Sequence, residues 1–211
     1  MIGFPILITL YAGFVHAFET DHLLAVSNIV TRRKHLALSL KDGIFWGLGH
    51  TSTILLIGML MLVLKMNINE NQFRYFEAGV GLMLIGLGIF RLWKYKNARN
   101  KTEEALTGEV LHNHHRLAYG VGLVHGLAGS GVLMVLVMAQ MDNSLKGMAY
   151  LIIFGLGSVA GMAIAAGIFS VPFSKKILQW KNFQIGFLLL SCLLCVIYGT
   201  KVVYDNLSQI V

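Results

Sequence analysis

The sequence predicts an all-α, polytopic integral membrane protein with six transmembrane helices arranged as a 3+3 inverted repeat. Three observations carry this. The 211-residue chain is 56% hydrophobic and only 13% charged, whereas an average soluble domain carries roughly 25% charged residues. Its apolar residues are pooled in blocks, each of the roughly 20 residues that a helix needs to cross about 30 Å of hydrocarbon. The first half of the chain also matches the second at a nearly constant offset.

Taken in order, the blocks place helices at roughly 4–30, 40–65, 74–95, 117–141, 146–171 and 182–204. The first has no basic stretch before it and no A-x-A site after it, so it is expected to be a retained span and not a cleaved signal. Glycines at helix-packing intervals in "GVGLMLIGLG" (79–88) and "GLGSVAGMAIAAG" (155–167) suit closely packed helices. The sixth block, "LLLSCLLCVIYG", holds the two cysteines, Cys192 and Cys195, on one helix face. A zinc ribbon would need two such pairs in polar loops, so these are expected to serve packing.

Orientation follows from the basic residues. The first, third and fifth loops with their span edges hold 13 of the 17 Lys and Arg, leaving only Lys65, Arg74, Lys146 and Lys201 on the other side. The positive-inside rule then puts both termini outside the cytoplasm. The net charge of +7 therefore reflects loops between spans, and no nucleic-acid partner is expected. The expected division is a first three-helix repeat at 1–95, a cytoplasmic loop at 96–116 and a second repeat at 117–211.

Three matches support the repeat. "GFVHAFETDHLLAV" (13–26) aligns with "GLVHGLAGSGVLMV" (122–135), "GLGHTS" (47–52) with "GLGSVA" (155–160), and "FEAG" (76–79) with "FQIG" (183–186). The offsets are 109, 108 and 107, and His16 pairs with His125. With three spans per half, the second half enters the membrane in the opposite sense. This is a recurring plan of secondary transporters, whose sites lie near the midplane where the repeats meet.

Ionisable residues at that depth are costly and functional by default. "HAFETDH" (16–22) puts His16, Glu19, Asp21 and His22 in the middle of the first span, with His50 in the second and His125 in the fourth. Imidazoles and a carboxylate at one depth suit a borderline divalent cation such as nickel, cobalt, copper or zinc. On a regular helix, at 100° per residue, His16, Glu19 and His22 fan over about 120° while Asp21 points about 140° from His16. Either the helix is distorted here, or Asp21 holds a histidine ring through its second nitrogen. In the third loop, His112, His114 and His115 of "HNHH" fit either a solvated polar segment or a metal-capture site.

"HAFETDH", a His-x4-Asp-His pattern, followed by "GLGHTST" in the next span, resembles the nickel/cobalt transporter (NiCoT) family. "HGLAGSG" (125–131) is similar to its six-span branch of urease-accessory membrane permeases. The resemblance implies that His16, Asp21, His22 and His50 bind the cation during selection and passage. Glu19 and His125 stand beside that set. Val15 stands where larger members often have Arg, and Glu19 where Asp is usual. Ser130 and Gly131 occupy the repeat positions of Asp21 and His22.

The expected function is therefore transport of a divalent transition-metal cation, nickel or cobalt, in the cell's inner (plasma) membrane. No enzymatic activity and no cofactor are expected beyond the transported ion. The expected partners are that ion, the lipid bilayer and a metallochaperone or metalloenzyme maturation protein. Two other readings compete. "GSG" (129–131) resembles the serine segment of rhomboid-type proteases, but no histidine follows His125 to act as base. A membrane electron-transfer or thiol-relay protein related to cytochrome c biogenesis would use histidines for haem or cysteines for relay, yet both cysteines lie in the last span.

Overall fold

The computed structural model describes residues 3–29, 36–66, 68–98, 114–128, 143–171 and 181–210. These residues form seven α-helices: α1 (Gly3–His16), α2 (Thr20–Ile29), α3 (Leu36–Gly58), α4 (Glu70–Ala98), α5 (His114–Ala128), α6 (Ser144–Ser170) and α7 (Lys181–Leu207). A single π-helical turn, Met59–Val63, prolongs α3. Leu36–Val63, Glu70–Asn97, Ser144–Ser170 and Asn182–Leu207 are long and apolar enough to cross a membrane, and Ile6–His16 is a shorter apolar helix.

The largest departure from the expected spans is at the first. A continuous helix over 4–30 is predicted, but α1 ends at His16 and α2 restarts at Thr20. The last turn of α1 tightens, with Phe18 N bonded to Val15 O at 2.9 Å and Glu19 N to His16 O at 3.1 Å, as helix ends commonly do to satisfy their carbonyls. Leu23 N then bonds to Glu19 O at 2.9 Å and opens the second helix. Asp21 sits in its first turn, where the helix dipole favours negative charge. The fourth expected span, 117–141, coincides with α5 as far as Ala128, and Ser130 and Gly131 lie outside the described residues.

Backbones touch where glycines let them. A Cβ on Gly13 of α1 would lie 2.0 Å from the Phe154 carbonyl oxygen of α6, and one on Gly157 of α6 would lie 2.1 Å from that of Leu10. The seam between α3 and α5 is equally close: Gly122 would meet the Trp46 carbonyl at 2.1 Å and Gly49 that of Tyr119 at 2.2 Å. Along each seam the partners of successive glycines rise together, from Leu10 at Gly157 to Phe14 at Gly161 and from Trp46 at Gly122 to His50 at Gly126, so α1 runs parallel to α6 and α3 parallel to α5. Hydroxyls reinforce the contacts, Thr53 Oγ1 donating to Leu123 O at 2.9 Å and Ser158 Oγ to Gly13 O at 3.1 Å. The α3–α6 and α4–α7 pairs cross antiparallel, Gly43 against Met162, Gly47 against Val159, and Gly81 against Gly199.

Two apolar clusters flank the middle of this assembly. One gathers Val26, Trp46, Leu84 and Met162, and the other Ile54, Met61, Leu151 and Phe154. Large apolar side chains such as Leu48, Leu56, Leu82, Leu156 and Leu190 are exposed on the outside, as expected of a surface that meets lipid.

The second half-helix, α2, is tied to α7 by Asn28. Its amide nitrogen donates to Cys195 Sγ at 3.0 Å and Ser191 O at 3.4 Å, and its oxygen accepts from Cys192 Sγ at 3.3 Å. Both cysteines are free and buried. They thus serve as weak hydrogen-bonding partners in a helix contact, in keeping with the packing expectation. Asn28→Ala should lower the thermal unfolding midpoint in detergent, at a cost of about 1–2 kcal/mol given the strength of interhelical bonds in membranes. Cys192→Ser, which keeps a donor, should change it far less.

Candidate metal centre

Breaking the first helix brings residues together that a straight helix would aim apart. His16 closes α1, and Asp21 and His22 lie in the first turn of α2. His50 comes from α3, and His125 from the last turn of α5. His16, His22, His50 and His125 are all buried, the last three completely. Ring centroids of His22 lie 4.6 Å from His16, 5.2 Å from His50 and 4.6 Å from His125, and His16 lies 5.3 Å from His50.

Each carboxylate fixes one ring. Glu19 Oε1 lies 2.8 Å from His16 Nδ1, and Asp21 Oδ1 lies 3.0 Å from His22 Nδ1. A carboxylate only accepts, so each Nδ1 carries the proton and each Nε2 keeps its lone pair. Those two Nε2 atoms, and both ring nitrogens of His50, are buried without a hydrogen-bond partner. Buried polar atoms are rarely left so, and imidazole lone pairs backed by carboxylates are how metal-binding histidines are usually held. Two three-residue sets have donor atoms within 4.8 Å of one another: His16, His22 and His50, and Asp21, His22 and His125.

The two carboxylates are not equivalent. The Glu19 side chain is 57% exposed and pairs with His16, whereas that of Asp21 is 19% exposed. Asp21 Oδ2 also lies 3.6 Å from His125 Nε2. Both alternatives raised for Asp21 thus hold together: the helix is distorted, and the carboxylate still orients a ring.

Sequence reasoning passes over two groups. Trp46 packs against His22 and His125, tilted to one and edge-on to the other with centroids 5.6 and 5.9 Å away, and its buried Nε1 has no hydrogen-bond partner. As an apolar residue in an apolar span it gives no sequence signal. Asp42, fully buried on α3, lies 2.6 Å by Oδ1 from His115 Nδ1 on α5, and the His115 ring stacks on Phe45. Its position just inside the second expected span, beside Lys41, is the signal that could have found it. Of the "HNHH" run, His115 is therefore a helix-contact residue. His112 and the side chain of His114 lie outside the described residues.

No family model matches the chain, and no solved structure matches it. It is 34% identical over 169 residues to the urease accessory protein UreH of Bacillus sp. (strain TB-90), a match covering 77% of this chain and 74% of that protein. Two Arabidopsis thaliana proteins, chloroplast proteins FOR GROWTH AND FERTILITY 2 and 1, are 28% and 27% identical over 72% of the chain. The matched segments make up 43% and 45% of those longer proteins.

Proposed function

Because the chain belongs to the family of the urease accessory protein UreH, we propose that it carries a divalent transition-metal cation, nickel or cobalt, across the membrane. The observation that carries this reading is the buried gathering of His16, His22, His50, His125 and Asp21 around ring nitrogens without protein partners. Imidazole with a carboxylate is a donor set for nickel or cobalt, and too poor in oxygen for magnesium or calcium. The incoming cation exchanges water for the Nε2 lone pairs of His16 and His22 and a nitrogen of His50. Asp21 and Glu19 hold the rings in the binding tautomer. Metal supplied to a urease maturation protein on the cytoplasmic side would suit the relative's name.

Six spans in a 3+3 inverted repeat give the cation alternating access by rocking of the two halves about the centre. The contacts support this plan. Gly13 meets Phe154, and the pair recurs with the halves exchanged, since Gly122 lies 109 residues after Gly13 and Trp46 lies 108 before Phe154: Gly122 meets Trp46. Likewise Gly49 meets Tyr119 while Gly157 meets Leu10. The helix directions, parallel for α1–α6 and α3–α5 and antiparallel for α3–α6 and α4–α7, are those that two inverted halves require.

The electron-transfer alternative fares worse. Imidazole rings packed with centroids 4.6 Å apart leave no slot for a porphyrin, and the two thiols are engaged with Asn28 and Leu24 inside the α2–α7 contact.

Nickel and cobalt flux into liposomes holding the purified protein tests the proposal. Asp21→Asn should weaken metal dependence about 10–100-fold, the usual effect of losing a carboxylate behind a metal ligand. Glu19→Gln, at the more exposed position, should cost less. Parental flux in Asp21→Asn would defeat the proposed site.

A further inference from the structure

The histidines do not form one ring around a single point. His22 touches His16, His50 and His125, and His16 touches His50. Among the described residues no ring contact joins His125 to His16 or His50. The donor atoms that do converge fall into two sets with one common member. We infer that the centre is two overlapping stations for one divalent transition-metal cation, His16–His22–His50 and Asp21–His22–His125, with His22 shared. The inference rests on the proposed function for its cargo, and its test reads binding without transport.

The chemistry of the sets explains why two stations would be useful. The first offers three neutral imidazoles, so a bound cation keeps its full double charge. The second replaces one imidazole with the Asp21 carboxylate and takes one of its two nitrogens from the other half of the chain, since His125 lies on α5. Asp21 Oδ2 already stands 3.6 Å from His125 Nε2, and a cation between them would replace that contact. With Nδ1 protonated toward Asp21 Oδ1, His22 has one lone pair to give, on Nε2. The stations are therefore mutually exclusive, and the cation changes station by pivoting on His22 while exchanging His16 and His50 for Asp21 and His125. A cargo held by several adjacent alternatives binds well enough to enter and remains able to leave.

Alternative stations leave a signature that a single four-histidine site does not. Their association constants add, so losing one station leaves the other. Nickel binding to the purified full chain in detergent would be measured for His50→Gln, His125→Gln and the double variant. If the stations are equally filled, each single variant loses about twofold, and the double loses at least about tenfold more than the product of the singles. Unequal filling makes one single variant costlier but keeps the excess. X-ray absorption on the nickel-loaded variants gives a second readout: His125→Gln keeps an all-imidazole protein shell, whereas His50→Gln gains carboxylate oxygen. Losses that simply multiply, or an unchanged shell in both variants, would overturn the two stations while leaving transport intact. Two-station binding without flux would retire the transport reading alone, and no nickel binding at all would retire both.

Discussion

His22→Ala should abolish nickel flux and weaken nickel binding by at least about 100-fold, the upper end of what losing a residue merely behind a ligand costs. No other substitution in the centre should match it. The reason is position: His22 is fully buried, makes ring contacts with three other histidines, and belongs to both three-residue donor sets. His16→Ala or His125→Ala removes a member of one set only. His22→Ala also strands Asp21, whose Oδ1 loses its 3.0 Å partner, and leaves a half-buried carboxylate facing His125. Nickel titration in detergent and flux in liposomes, with elution profile as a control for folding, check this. Equal losses in His22→Ala and His16→Ala would show that His22 is one ligand among equals.

How far the sequence anticipated this centre depends on the kind of signal each residue gives. Apolar blocks are a sum over about 20 residues, so the long helices are recognised within a few residues of their ends: α6 spans Ser144–Ser170 against an expected 146–171. His16, His22 and His50 stand out because an imidazole in an apolar span is improbable. His125 stands out in the same way within the fourth expected span, and again as the repeat partner of His16. The break at 17–19 is hidden because the polar dip at "HAFETDH" is short and apolar runs on both sides read together as one span. Its cause is local, a tightened helix end followed by Thr20 and Asp21, and it is worth only a few hydrogen bonds against a long apolar run. That break decides the roles of the carboxylates. On an unbroken helix Glu19 faces the centre and Asp21 points away, whereas the restart at Thr20 sets Asp21 against His22 and His125 and leaves Glu19 more than half exposed. Trp46 is legible only from the packed helices, because the histidine rings mark it, whereas Asp42 carries a signal at the edge of its span that gains its meaning from His115.

Gly13→Ala and Gly122→Ala should each destabilise the protein strongly and by similar amounts. A Cβ on Gly13 would stand 2.0 Å from the Phe154 carbonyl oxygen, and one on Gly122 would stand 2.1 Å from that of Trp46. Neither neighbour is a flexible side-chain tip. Each is helix backbone, so a methyl group fits only if two helices separate, and overpacking of this kind costs about 1–3 kcal/mol or more. Separation would also disturb the centre. Gly13 lies one turn before His16 on α1, and Trp46 lies one turn before His50 on α3, so the shift passes directly to the turns that carry those histidines. Thermal unfolding in detergent and nickel affinity would be read on the same preparations, with Gly86→Ala, where a Cβ meets nothing within 4 Å, as the neutral control. The two costly positions are 109 residues apart, the offset that relates the halves of the chain. Losses of like size at both, in stability and affinity alike, are what an inverted repeat requires, because each glycine does the same work in its own half. A large loss at Gly13 with tolerance at Gly122 would instead mean that the halves share sequence without sharing their packing.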